Sequence, residues 1–262
     1  MSRLKFLIRM FLLGTFILFA KGVYADTILG DLLKEKGIAL KVDATMDFYD
    51  KYVWRGFLLD KDAVMQPSIT FSANGFEGGF WGNWDLHNKD SMSSDETDGW
   101  IGYNFDLAFI NEALKMVNLS VGHTWYGFPE AHSHTVETYW GVSLDTFLSP
   151  YIKWYRDYGN DSTGGGADGS YFAFGIGHAL DLVKKYDITL DLGFELGINH
   201  EAFIDGTGGY TLTTAGVNVP LTEKIIVSPK MAYSIPFADL ADANDGNQSE
   251  EFYGGVSLAY GF

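Results

Sequence analysis

The chain contains no cysteine, which removes disulfide staples, thiolate metal centres, cysteine nucleophiles and lipidation of a processed N-terminal cysteine. Basic residues are also scarce, with 18 Lys and Arg against 34 Asp and Glu. Such a balance repels the phosphate backbone, so a nucleic-acid partner is not expected. There are only six prolines in 262 residues, so few positions interrupt extended backbone. Long apolar runs are missing beyond the first residues, whereas a membrane helix needs about twenty in succession. Any membrane attachment must come from the fold.

The one apolar run, Met10 to Ala20, follows the basic residues Arg3, Lys5 and Arg9 and precedes the small-residue site Val23-Tyr24-Ala25. That order predicts a secretory signal peptide cut after Ala25, and the run is too short for an anchor. Losing Arg3, Lys5, Arg9 and Lys21 takes the net charge from −16 to −20. The expected organisation is a signal peptide over 1–25, a short periplasmic segment over 26–38, and one domain over 39–262.

What the chain does have is 31 glycines, 16% aromatics and period-two alternation. Leu40, Val42, Ala44, Met46 and Phe48 alternate with Lys41, Asp43, Thr45, Asp47 and Tyr49. Successive strand side chains point to opposite faces, so one face is apolar and the other charged. The pattern recurs at Ile101 to Leu107, Ile188 to Ile198, Phe252 to Phe262 and elsewhere, giving twelve segments. Tight links such as Asn74-Gly75, Thr146 to Ser149 and Thr222-Glu223 alternate with longer acidic, Gly- or Ser-rich loops, among them Asn88 to Thr97, Gly159 to Gly169, Glu201 to Tyr210 and Ala238 to Glu250. This predicts an all-β fold, a closed antiparallel transmembrane β-barrel of twelve strands with periplasmic termini, in the outer membrane of a Gram-negative bacterium. A β-sandwich accounts for the alternation but not for long loops at every second connection. The last strand ends on Tyr260 and Phe262, as barrels do that carry a C-terminal signal for the barrel-assembly machinery.

Lipid has no water to pair backbone groups, so a spanning sheet must close and turn its apolar face outward. The inward acids are then Asp43, Asp47, Glu77, Asp85, Asp106, Glu137, Asp145, Asp157, Asp191, Glu195 and Glu251, against Lys41, Lys153 and Lys230. From these, Asp43, Asp47, Glu77, Asp85, Asp106, Glu137, Lys153, Asp191, Glu195 and Lys230 are the candidate pore-lining residues. Three lysines cannot pair every acid, and unpaired buried charge is costly, so water or cations should enter. The first reading is a narrow porin-like channel for small cationic or neutral solutes. The alternative is a plugged structural or surface-interaction barrel in which Arg55 and Arg156 neutralise the acids. Arg55, beside Gly56, either constricts the lumen or pins the first loop. Expected partners are outer-membrane lipid, lipopolysaccharide, the barrel-assembly machinery and small solutes; no cofactor or metal is expected. An enzyme is not expected either, because Ser120 and His123, three residues apart in one strand, face opposite sides.

The stretch Tyr52-Val53-Trp54-Arg55-Gly56, followed by Met65-Gln66-Pro67 and the glycine- and aromatic-rich run Gly75 to Asp85, resembles the Gcw_chp-like family of conserved hypothetical outer-membrane proteins. In this chain Leu58-Leu59 replaces the polar pair that commonly follows the family's motif. The resemblance covers about the first quarter of the mature chain and implies a barrel of unassigned function, with no substrate and no catalytic residues.

Overall fold

The computed structural model describes residues 35, 37–87, 95–159, 166, 168–243 and 248–262. The expected signal peptide lies outside the described residues, as do most of the segment after it and parts of three of the long loops.

Alternation along the chain produces β1 (Lys41–Tyr49), a short hairpin of β2 (Tyr52–Trp54) and β3 (Phe57–Asp60), and then β4 (Val64–Ala73), β5 (Phe76–Asp85), β6 (Glu96–Asp106), β7 (Val117–Phe128) and β8 (Ser133–Leu144). They are followed by β9 (Tyr151–Asp157), β10 (Ser170–Val183), β11 (Ile188–His200), β12 (Thr207–Pro220), β13 (Ile225–Ala238) and β14 (Glu251–Gly261). Strand β1 and strands β4 to β14 form a closed barrel in which each strand is antiparallel to its neighbours. Closure runs through β1 and β14, with Met46 opposite Leu258 and Phe48 opposite Val256. A closed sheet has no unpaired edge, the condition for placing backbone in hydrocarbon.

The apolar set of each strand faces out. Phe80 is 63% exposed, Phe252 61% and Phe194 44%, and Ile101, Trp125, Trp140, Ile152, Leu192 and Leu258 share that wall. A continuous apolar exterior of this kind suits lipid and not water. The twelve barrel strands coincide with the twelve segments read from the sequence, in the expected phase. Some strand ends differ. Glu96, Thr97, Thr207 to Tyr210 and Ala238, expected in loops, extend β6, β12 and β13, and Leu107, expected in a strand, begins a 3-10 turn.

The ends of the barrel are unlike. At the turn end, β4 and β5 are joined by Asn74-Gly75, both with positive φ (51° and 86°), the two-residue turn that suits hairpin twist. The strict alternation of short and long links breaks at two places. The β6–β7 connection on the turn end carries 3-10 turns at Leu107–Phe109 and Glu112–Leu114, and the β7–β8 link on the loop end is only Pro129 to His132. The larger departure is the β2–β3 hairpin, which pairs with no barrel strand.

The wall phase has a measurable consequence. Phe194→Arg places a charge on the outer face and should cost about 2–4 kcal/mol at the bilayer midplane, whereas Asp191→Asn, on the inward face of the same strand, should change stability by less than about 0.5 kcal/mol. Urea titration of folding into lipid vesicles measures both, and the reverse order would mean that inside and outside are exchanged.

Candidate functional site

The β2–β3 hairpin folds into the barrel from the loop end. Trp54 pairs with Phe57, and the two residues between them, Arg55 (φ 49°) and Gly56 (φ 83°), both take the left-handed conformation of a type I′ turn. Gly56 has no alternative, since a Cβ there would lie 2.8 Å from both Tyr210 Cβ and Leu240 Cδ2. Arginine is unusual in that conformation, and its side chain supplies the compensation. The guanidinium donates from Nη1 and Nη2 to Glu137 Oε1 and Oε2 at 2.6 and 2.8 Å. It also lies over the rings of Trp54, Tyr155 and Tyr171, 4.4, 4.6 and 4.1 Å from their centroids. Bidentate pairing and ring stacking are both uses that a lysine could not serve.

Around this pair the loop end is filled. Tyr126 Oη donates to Glu137 Oε2 at 2.8 Å, Tyr52 Oη to Glu96 Oε2 at 3.0 Å, and the Leu58 N–H to Gln248 Oε1 at 2.9 Å. Phe57 packs in a buried cluster with Tyr171, Ala173, Ile204, Tyr210 and Leu240. Trp54 meets Phe203 edge to face with ring centroids 5.2 Å apart. Phe203 itself has φ 70°, a strained value that turns the Glu201 to Gly206 loop onto the hairpin. Outside the strands that form the wall, burial raises the carboxyls of Asp60 and Asp95 above their ordinary range, against the opposing effect of backbone hydrogen bonds.

The other half of the lumen is open. Side-chain exposure is 1% at Glu137 but 69% at Lys41 and 38% at Lys230, so the interior grades from dry at the loop end to wet at the turn end. In the wet part Lys41 pairs with Asp43 at 2.8 Å, and Lys230 stands 4.0 Å from Asp47. Asp191 accepts from Asn218 Nδ2 at 2.6 Å, and Glu77 is exposed. Lys153 lies over the Tyr139 ring, 5.2 Å from its centroid. Glu195, at the boundary, accepts from the hydroxyls of Tyr151, Tyr171 and Tyr210.

Two candidate lining residues sit at the rims and serve turns. Asp85 accepts from the His87 N–H at 2.6 Å at the loop end, and Asp106 from the Ala108 N–H at 2.8 Å at the turn end. Arg156 does not enter the lumen to neutralise acids; it lies in the outward phase of β9 and pairs with Asp168 at 2.5 Å. Tyr260 and Phe262 share the outer phase of β14, with ring centroids 4.7 Å apart, and the Phe262 N–H donates to the Val42 carbonyl at 2.9 Å.

Three features escaped the sequence reading. Glu96 and Asp98 are buried inward acids, which extending the alternation backward from Ile101 would have revealed. Tyr210 lay in an expected loop. The hairpin was signalled by a glycine flanked by Tyr52-Val53-Trp54 and Phe57-Leu58-Leu59, strand formers around a two-residue turn.

The Arg55–Glu137 pair should behave as a coupled unit. Arg55→Ala leaves a carboxylate buried without its partner and should destabilise hairpin docking by about 3–5 kcal/mol, whereas Arg55→Met with Glu137→Leu should cost much less than the two single changes added. Hydrogen exchange at the Trp54 and Phe57 amides reads the docking equilibrium, and additive effects would refute the coupling.

No family model and no curated protein matches the chain. Solved structures do. The KdgM porin superposes with a TM-score of 0.53 at 12% identity, over 85% of this chain and 99% of that one. The NanC porin superposes with a TM-score of 0.51 at 11% identity, over 85% and 99% respectively. At such identities the likeness concerns the backbone, and on that evidence this chain has the closed twelve-stranded barrel fold of porins.

Proposed function

We propose that the chain is a porin-like outer-membrane channel for small cationic or neutral solutes, with periplasmic termini and the β2–β3 hairpin as its constriction. The observation that carries this reading is the wet, charged turn-end lumen. Lys41, Asp43, Glu77, Asp191 and Lys230 point into the barrel yet remain accessible to water. A barrel serving only as a scaffold would fill that volume with packed side chains, as small closed barrels do. Carboxylates outnumber ammonium groups along the wall, and in a water-filled lumen their summed potential concentrates cations and disfavours anions. His123 lies on the outer face with its Nδ1 3.0 Å from Thr138 Oγ1, away from the inward Ser120.

A second reading has its own support. The buried Arg55–Glu137 pair and the Phe57 and Leu240 contacts close the loop end, which favours a sealed barrel with a structural or surface role. Planar-bilayer recording separates the two. The channel reading expects cation-selective conductance whose preference for potassium over chloride fades toward molar salt, where the Debye length shrinks to about 3 Å. Glu77→Lys with Asp191→Lys should move the reversal potential toward anions. Replacing residues 52–60 with a short Gly-Ser linker should raise conductance. If neither the native chain nor that variant conducts after repeated insertion of folded protein, the sealed reading replaces the channel.

Orientation has a separate test. An epitope tag at Glu130 or Asp239, on the loop end, should label intact cells, and one at Asn74 only permeabilised cells. The opposite pattern would invert the proposed topology.

A further inference from the structure

The strand register sets five inward positions in one row across adjacent strands. Asp191 on β11 is opposite Gly216 on β12, Gly216 is opposite Lys230 on β13, Lys230 is opposite Gly255 on β14, and Gly255 is opposite Tyr49 on β1. Charged or aromatic side chains therefore alternate with glycine along the row. Asp191 and Lys230 stand two strand spacings apart, about 9–10 Å between backbones, with only Gly216 between them and the stem of Lys230 leaning toward it. The recess they border has a volume of about 340 Å³ and is also lined by Asn218, Tyr49 and Tyr253.

Both charged groups are presented to the recess with bonding capacity unused. Asn218 is fixed by its neighbours: its amide oxygen accepts from Ser228 Oγ at 2.7 Å, and its Nδ2 donates to Thr189 Oγ1 at 3.1 Å and to Asp191 Oδ2 at 2.6 Å. That orients the Asp191 carboxylate and leaves Oδ1 without a partner among the described residues. Lys230 Nζ is 4.0 Å from Asp47 Oδ1, beyond hydrogen-bond distance, and Asp47 Oδ1 is itself buried without a hydrogen bond. The ammonium thus makes no hydrogen bond within the described chain. Tyr49 and Tyr253, edge to face with centroids 6.3 Å apart, close the side beyond Lys230.

We infer that this recess is a binding site for a compact zwitterion of α-amino-acid size, with its ammonium on Asp191, its carboxylate on Lys230 and its body over Gly216. One carbon holds the two charges of such a solute, and with a charge-assisted hydrogen bond of about 2.8 Å at each end its reach is comparable with two strand spacings. Its net charge is zero, so the acidic wall does not exclude it. An anion meets Asp191, and a simple cation meets Lys230. The volume is at the lower limit of small-molecule pockets, which suits a single small solute and not an oligomer. The inference rests on the lumen being a solute path, and it names what that path retains.

Calorimetric titration of the folded, detergent-solubilised chain with L-alanine, propionate and propylamine tests it, with heat-modifiable gel migration confirming that each variant is folded. Alanine should bind at least about tenfold more tightly than either single-charge probe, the factor expected when one charged contact is lost. Asp191→Asn and Lys230→Gln should each reduce alanine to the level of those probes. Gly216→Val gives an independent steric check. A Cβ at Gly216 meets only Lys230 Cγ at 3.4 Å and Pro229 O at 3.6 Å, both ordinary contacts, so the backbone accepts a side chain there, and valine, once gel migration confirms the fold, should fill the gap and abolish binding with both charges intact. Equal binding of the three probes, or full alanine binding by any of the variants, overturns the site. Because the titration needs no current, alanine binding by a barrel that does not conduct would uphold the site and remove the channel, and conduction without alanine binding would do the reverse.

Discussion

The bidentate contact between Arg55 and Glu137 is the constraint on which the interior arrangement depends. It crosses from the hairpin tip to β8, buried on both sides, and a charge pair so placed holds only while both partners remain. Three aromatic rings around the guanidinium replace water as its surroundings without removing its attraction to the carboxylate. The left-handed backbone at Arg55 and Gly56 aims the side chain, so the turn and the ion pair require each other. From that point follow the docking of Phe57 against Tyr171, Tyr210 and Leu240 and the division of the lumen into a dry and a wet half.

Glycine and aromatic residues, conspicuous in the composition, serve one packing device. Tyr139 is opposite Gly122, Tyr151 opposite Gly175 and Tyr210 opposite Gly197, and in each case the ring occupies the space that a glycine Cβ would need. Large rings can therefore lie flat along the inner wall instead of blocking the lumen. This sets how far the bore is narrowed on the β7 to β12 side, and it brings the hydroxyls of Tyr151, Tyr171 and Tyr210 onto Glu195. On the same wall Gly216 faces no aromatic partner, and there the recess opens.

Period-two alternation determined a great deal without further help. It set the twelve barrel strands and which side of each faces lipid, because strand geometry gives a side chain only two directions and one was filled with Leu, Ile, Val, Phe and Trp. It also placed Asp43, Asp47, Glu77, Glu137, Asp191, Glu195, Lys153 and Lys230 on the inner wall. Pattern alone could not supply depth around the barrel or the path of a segment that leaves the sheet. Glu137 and Glu77 look equivalent in the sequence, yet one is sealed under an arginine and the other meets water.

The difference is one of range. Alternation, turn glycines and strand ends are local, each decided by neighbours within a few residues, and the sequence by itself determined them. The docking of Arg55 on Glu137, 82 positions away, the meeting of Asp191, Gly216 and Lys230 in one row, and the pairing of Arg156 with Asp168 outside the lumen depend on register and closure. Those are properties of the whole sheet, since each strand's height is fixed by the strands on both sides of it, and only the tertiary structure decided them.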